Sequence, residues 1–285
     1  MSWVHRLAAI DRRIIFLLIF VGALVPVIWP IGLAVRISPP VRAVYERIEA
    51  LSPGDAVLLS FDYGPPDGPE LDPMANSILR HCMKKQVRVI GTSFYSLGGP
   101  DIELARFRQL VTEMDARPGV DFANLGYKDG AQAALRGMGE SFASIFPVDV
   151  DSTRYDQIPA TRGVRNYHDC KLAISFCTSI IGEYWVNLVN AQFGIPVAVG
   201  TTAVSAPRYY AFLESKQIFG LIGGMKGASE YEELAARAYP DVGRLSRTAT
   251  LGMDVQSIVH AIIILLIVLG NVVFLFTRGK RAEGK

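Results

Sequence analysis

The sequence predicts an α/β protein: a mostly parallel, Rossmann-like sheet of about six strands with helices on both faces, flanked by one transmembrane helix at each end. Three observations lead there. Apolar runs of strand length alternate with helical patterns through the middle of the chain. Those runs lack an in/out alternation, as strands covered on both faces should. Two long uncharged apolar stretches lie near the ends. The chain has 285 residues, room for one sizeable core plus such extras.

The end segments come first. Ile14 to Val35 is a run of 22 residues without a charge, and Val255 to Thr277 is a run of 23. A helix needs about 20 apolar residues to cross the hydrocarbon layer, and both runs meet that length. The first run is longer than the apolar part of a cleaved signal peptide and no small-residue cleavage site follows it, so it reads as an uncleaved signal-anchor. Charge gives an orientation. Residues 37–256 hold 21 Lys and Arg against 25 Asp and Glu, leaving 8 basic and 2 acidic residues for the two ends. Arg6, Arg12 and Arg13 precede the first run, and Arg278, Lys280, Arg281 and Lys285 follow the second. Lys and Arg near span ends favour the cytoplasmic side. The expected organisation is a cytoplasmic N-terminus (1–13), a first span (14–36), an extracytoplasmic α/β domain (37–254), a second span (255–277) and a cytoplasmic basic tail (278–285) in a multi-pass cell-membrane protein.

Within the domain, Val41–Leu51 reads as a short amphipathic helix leading in. The strand candidates are Ala56–Phe61, Val87–Phe94, Val120–Leu125, Leu172–Phe176, Ile195–Val199 and Ile218–Ile222. The helix candidates between and after them are Pro69–Lys85, Asp101–Met114, Gly130–Ile145, Ile181–Phe193, Pro207–Lys216 and Ala228–Ala238. Phe146–Asp169 has no regular period and reads as an insertion or surface loop. Glu183, Asn187, Asn190 and Gln192 interrupt the apolar stretch around 174–199, which makes it soluble core rather than a further span.

In open α/β sheets ligands bind outside the carboxyl ends of the strands. The residues expected there are Asp62, Tyr127, Lys128, Thr201 and Thr202, with Gly223, Gly224, Lys226 and Gly227 in a glycine-rich turn into the last helix. Such a turn offers free N–H groups to an anion, but its spacing matches neither the dinucleotide fingerprint nor the phosphate loop. Asp62, Asp67, Glu70 and Asp72 follow the first strand without the spacing of a calcium loop, and no metal is assigned. His81 and His168 are the domain's histidines and assemble no convincing nucleophile, so catalytic residues are unknown. Cys82, Cys170 and Cys177 read as free buried thiols. Seven residues of strand would separate the last two by roughly 23 Å, beyond disulfide reach.

Ser257, His260 and Asn271 fall near one stripe of the second span and mark it for helix packing. Dispersed basic residues in an acidic domain exclude nucleic acid as a partner, and no cofactor is implied. The expected partners are the lipid bilayer and other membrane subunits, or a second copy through the spans. The function expected is a membrane-anchored binding or assembly module within a larger complex. The alternative is a membrane-bound enzyme or receptor holding a polar or anionic ligand in the strand-end crevice.

Overall fold

A computed structural model describes residues 11–33, 35–245 and 247–282, with only the helical backbone for 276–282. Residues 1–10 of the N-terminal segment and 283–285 of the basic tail lie outside the described residues. The chain divides into two compact units, one of residues 1–34 with 251–285 and one of residues 35–250.

The larger unit is a six-stranded, all-parallel sheet with helices around it. Helix α2 (Pro39–Glu49) opens it, with prolines at the first helical positions, where a missing N–H costs nothing. The strands are β1 (Ala56–Asp62), β2 (Arg88–Ser93), β3 (Phe122–Tyr127), β4 (Ala173–Cys177), β5 (Val197–Thr201) and β6 (Gly220–Gly223). Their order is β3-β2-β1-β4-β5-β6. All six apolar runs read from the sequence are strands, each displaced by no more than about two residues.

One face of the sheet is covered by α3 (Gly68–Lys84), α4 (Gly99–Met114), α10 (Gly224–Ala238) and α2. Val57, Leu59 and Phe61 meet Met74, Ile78 and Tyr231 there. The other face carries α5 (Ala131–Met138), α6 (Phe142–Ile145), α7 (Ile181–Tyr184), a π-helical turn (Trp185–Asn190), α8 (Ala191–Phe193) and α9 (Pro207–Glu214). Leu58, Ile90, Phe94 and Trp185 lie in that second core.

Two expectations for the domain need correction. The helix read over Gly130–Ile145 is two helices, because the chain turns at Gly139–Ser141 and Ser141 Oγ caps the second by accepting from the Ser144 N–H at 3.4 Å. Phe146–Asp169 is not a surface loop: Tyr155, Ile158, Ala160, Val164 and Tyr167 are buried in the second core. Hydroxyl bonds fix the segment in place, from Tyr155 to the Val164 carbonyl (3.0 Å) and from Tyr167 to the Leu135 carbonyl (2.8 Å).

The smaller unit contains α1 (Arg12–Ile28) and most of α11 (Thr248–Ala282). Thr248–Leu275 contains an 18-residue window of mean hydropathy 2.9 and is long and apolar enough to cross a membrane. At 1.5 Å per residue its 28 residues reach about 42 Å, more than the hydrocarbon thickness. It is the one described helix that meets this test. The N-terminal run was expected to be a helix over 14–36; it forms one of 17 residues, extended from Trp29 with Pro30 following. Within this unit α1 packs on α11 at Gly22, where a Cβ would lie 2.2 Å from Ile262 Cδ1. Asp254 accepts from the Gly32 and Leu33 N–H groups (2.9 and 3.1 Å), satisfying backbone that has left the helix.

Candidate functional site

The strand order places β1 beside β4, where the connections leave toward opposite ends of the sheet. That reversal opens a crevice at the carboxyl ends of the two strands, the usual ligand position of doubly wound folds. Asp62 closes β1 and pairs in register with Cys177, the last residue of β4.

Asp62 is fully buried. Its carboxylate accepts from the Phe94 N–H (2.8 Å), Ser60 Oγ (2.6 Å), Ser175 Oγ (3.3 Å) and Trp185 Nε1 (3.3 Å). Burial pushes the carboxyl up to about 6, while the four donors hold it from rising further. Trp185 reaches it from the π-helical turn on the second face. Cys177 is equally buried, and desolvation pushes its thiol up to about 12. A thiol so placed stays protonated and is no nucleophile at neutral pH. Its Sγ lies 3.4 Å from the Tyr209 hydroxyl, and Thr201 Oγ1 donates to its carbonyl at 2.5 Å. Asp62 and Thr201 are thus brought together on either side of Cys177.

The β1–α3 turn decides what the crevice accepts. In dinucleotide-binding sheets this turn is glycine-rich and its amides face a pyrophosphate. Here Pro65, Pro66 and Pro69 occupy it, none with an N–H to donate. Its carboxylates turn onto donors of the chain itself. Asp67 accepts from Thr178 Oγ1 (2.9 Å), and Glu70 from the Ala203 N–H (2.8 Å). Asp72 accepts from the Tyr63 hydroxyl (2.8 Å) and faces Arg106 at 3.4 Å. A pyrophosphate would meet three acids and three missing donors.

The glycine-rich turn before α10 is filled in the same way. Gly224 has φ +63°, and a Cβ there would lie 2.8 Å from Ala203 Cβ and 2.9 Å from Glu70 Oε2. Only glycine fits that backbone and that space, and the carboxylate at the start of the helix is the chain's own. Gly223 ends β6, and Gly227 packs on Ile222. Lys226 is paired one helical turn on with Glu230, whose other oxygen takes the Ser38 N–H at 2.7 Å. The Thr202 carbonyl accepts from the Ser205 and Ala206 N–H groups. At the opposite edge the Tyr127 hydroxyl donates to Asp129 (3.1 Å), and the Lys128 N–H bonds the Ser93 carbonyl (2.9 Å). β3 and β6 are the two outermost strands, so Lys128 and Lys226 stand five strand spacings apart, roughly 24 Å. The residues expected to hold one ligand therefore divide in two: Asp62, Thr201, Thr202 and the Gly223–Gly227 turn follow one another along β1, β4, β5 and β6, with Thr201 paired in register with Gly223, while Tyr127 and Lys128 lie at the β3 edge.

In the smaller unit Ser257 Oγ donates to the Met253 carbonyl (2.7 Å) and Asn271 Nδ2 to the Ile267 carbonyl (3.0 Å). His260 Nδ1 meets the Gln256 carbonyl (2.7 Å), so all three bond one turn back on their own helix.

Two groups gave no signal in the sequence. Glu103 on α4 is fully buried beside Gly91, and neither carboxyl oxygen has a hydrogen-bond partner. Burial raises its pKa well above the usual carboxylate range, the nearby Asp62 charge adds to this, and the Gly126 amide, already bonded to Asn124 Oδ1, offsets little. The second is a chain of bonds among the helices: His81 Nδ1 meets the Tyr231 hydroxyl at 2.8 Å and Nε2 meets Glu49 at 2.7 Å. With the proton on Nε2, that nitrogen donates to Glu49 and Nδ1 accepts from Tyr231, leaving a neutral ring satisfied at both ends. Desolvation lowers the His81 pKa, opposed by Glu49.

Fold and site together define a Rossmann-like α/β domain, with one membrane-length helix in the same chain, whose strand-end crevice is occupied by its own side chains. Compared with family models, curated proteins and solved structures, the chain matches none.

Proposed function

We propose that this protein is a membrane-anchored binding or assembly module and a subunit of a larger membrane complex. In this reading both apolar end segments lie in the bilayer, the termini are cytoplasmic and the α/β domain is extracytoplasmic. α1 then crosses with the help of the extended stretch after it, whose amides Asp254 satisfies. Large apolar side chains on both helices support the anchoring, with Phe16 66% and Ile264 60% exposed.

The observation that carries the assembly reading is the filled crevice. Asp62, Asp67, Glu70 and Asp72 all accept hydrogen bonds from the chain itself. A site prepared for a polar ligand holds groups in reserve, and this one has turned them inward.

The test is purification of the full-length protein in mild detergent followed by mass spectrometry of the intact assembly. Stable partner proteins are the expected result; a lone monomer retaining a small molecule overturns the reading in favour of a ligand-binding enzyme or receptor. Orientation is read separately with an impermeant thiol reagent on intact cells, using Glu140→Cys on the domain surface. Cys82, Cys170 and Cys177 are all buried and give little background. Labelling of Glu140→Cys only after the cells are opened would place the domain in the cytoplasm.

A further inference from the structure

Three of the exposed aliphatic side chains of the α/β domain lie at the carboxyl end of the sheet, while Val120 is exposed at the opposite end and Val148 and Val150 in the segment after α6. Leu97 follows β2 and is 72% exposed, Ile180 follows β4 at 50%, and Val204 follows β5 at 89%. A single exposed aliphatic residue is ordinary, but these three lie on loops joined by the β1–α3 turn. Pro65 packs on Gly98, next to Leu97, where a Cβ would sit 2.7 Å from the proline ring. Asp67 holds Thr178, two residues before Ile180, and Glu70 holds the amide of Ala203, beside Val204. β2, β1, β4 and β5 are consecutive in the sheet, so the three side chains fall within about 14 Å along its carboxyl edge.

The same turn marks where the chain leaves the domain. Thr248 lines a cleft of about 370 Å³ with Pro65, Gly68, Pro69 and Asp72. Thr248 is also the first residue of the helix long and apolar enough to cross a membrane. Its start is fixed by Glu232, whose carboxylate accepts from the Ala249 and Thr250 N–H groups at 3.1 and 2.8 Å. The aliphatic rim and the root of the apolar helix therefore share one edge of the domain. The acids between them are engaged on Thr178, Ala203 and Tyr63.

We propose that this carboxyl edge is a lipid-contacting face, with Leu97, Ile180 and Val204 seated in the interfacial layer of the bilayer. The proposal rests on the membrane-anchored reading above. Apolar side chains presented on a firm backbone gain by entering the headgroup–acyl boundary, and a chain held in the bilayer by one segment keeps the rest within reach of it. The edge that takes a nucleotide in other doubly wound sheets takes lipid here, and the prolines of the β1–α3 turn, with no N–H to satisfy, suit that surface.

The experiment uses single-cysteine variants of the full chain, labelled with an environment-sensitive fluorophore. The chain is reconstituted into phosphatidylcholine–phosphatidylglycerol vesicles carrying a nitroxide on the upper acyl chain. Leu97→Cys, Ile180→Cys and Val204→Cys report the rim. Val120→Cys, exposed at the opposite end of the sheet, is the control, and Ile264→Cys reports insertion of the apolar helix. The expected result is quenching at Ile264→Cys and at all three rim positions, with emission from Val120→Cys unchanged. Quenching at Ile264→Cys with rim emission matching Val120→Cys overturns the lipid face while leaving the anchor intact. Absence of quenching at Ile264→Cys removes the anchor and the proposal with it. A rim signal that vanishes when protein is diluted among excess vesicles identifies a second copy as the occupant and also overturns the proposal.

Discussion

Glu103 makes a quantitative prediction. Its carboxyl is fully buried and both oxygens lack partners, against Gly91 on one side and the Phe107 ring nearby. A buried unsatisfied polar group costs about 1–3 kcal/mol. Titration adds to this. The folded pKa is raised well above 4.5, so the folded state binds the proton more tightly than the unfolded chain. The protonated group's contribution is fully present below pH 4.5 and is lost as pH rises through the folded pKa. The slope across that window is about 1.4 kcal/mol per pH unit. Glu103→Met fills a similar volume without a polar group and should stabilise the domain by about 1–3 kcal/mol at acid pH, with the gain growing as pH rises above 4.5. The assay is urea unfolding of the detergent-solubilised full chain across pH, followed by tryptophan fluorescence. A destabilised Glu103→Met, or a difference independent of pH, would refute the account.

Three further outcomes follow. His81 has a lowered pKa, so its contribution is present above pH 6.5 and is lost as pH falls through the folded pKa; unfolding midpoints should drop on acidification, and His81→Gln should lack that dependence. His81→Ala should cost about 3 kcal/mol in the same assay, since it opens a cavity and leaves Tyr231 without its acceptor. Gly224→Ala meets a positive φ and the Glu70 carboxylate at once, and should lose about 1–3 kcal/mol by thermal unfolding. Asp254→Ala frees the Gly32 and Leu33 amides and should raise protease cleavage around residue 32 in detergent, while Asp254→Asn, which keeps one acceptor, should be milder.

The sheet was legible because burial on both faces writes continuous apolar runs, and all six were strands. Their ends were less so. Asp62, Cys177 and Thr201 extend β1, β4 and β5 beyond the apolar runs because backbone pairing and side-chain bonds hold them there, which hydropathy does not record. Phe146–Asp169 was misread for a related reason. Its core residues, Tyr155, Ile158, Ala160, Val164 and Tyr167, follow neither strand nor helical spacing, and only the fold gives them a common direction. Asp62 was visible as a polar residue closing a strand. Its donors Ser175 and Trp185 were not, since nothing local joins residues more than a hundred positions apart. Nothing in the sequence of α4 marks Glu103 as buried. The N-terminal apolar run gave its composition but not its helical length, which ends where Pro30 disfavours helix at Trp29.

Strand order and loop chemistry carry different information here. The order β3-β2-β1-β4-β5-β6 creates a crevice by topology alone, whatever residues border it. Whether that crevice takes an anion depends on N–H groups left unpaired at its floor. In this chain Pro65, Pro66 and Pro69 remove donors from one helix start, and Glu70 sits at the other against Gly224. The same carboxylate bonds Ala203, beside the most exposed valine of the domain. One short turn therefore fills the interior of the crevice and fixes the apolar loops around its mouth. Those two effects are linked through Asp67 and Glu70, whose bonds to Thr178 and Ala203 hold the loops that carry Ile180 and Val204.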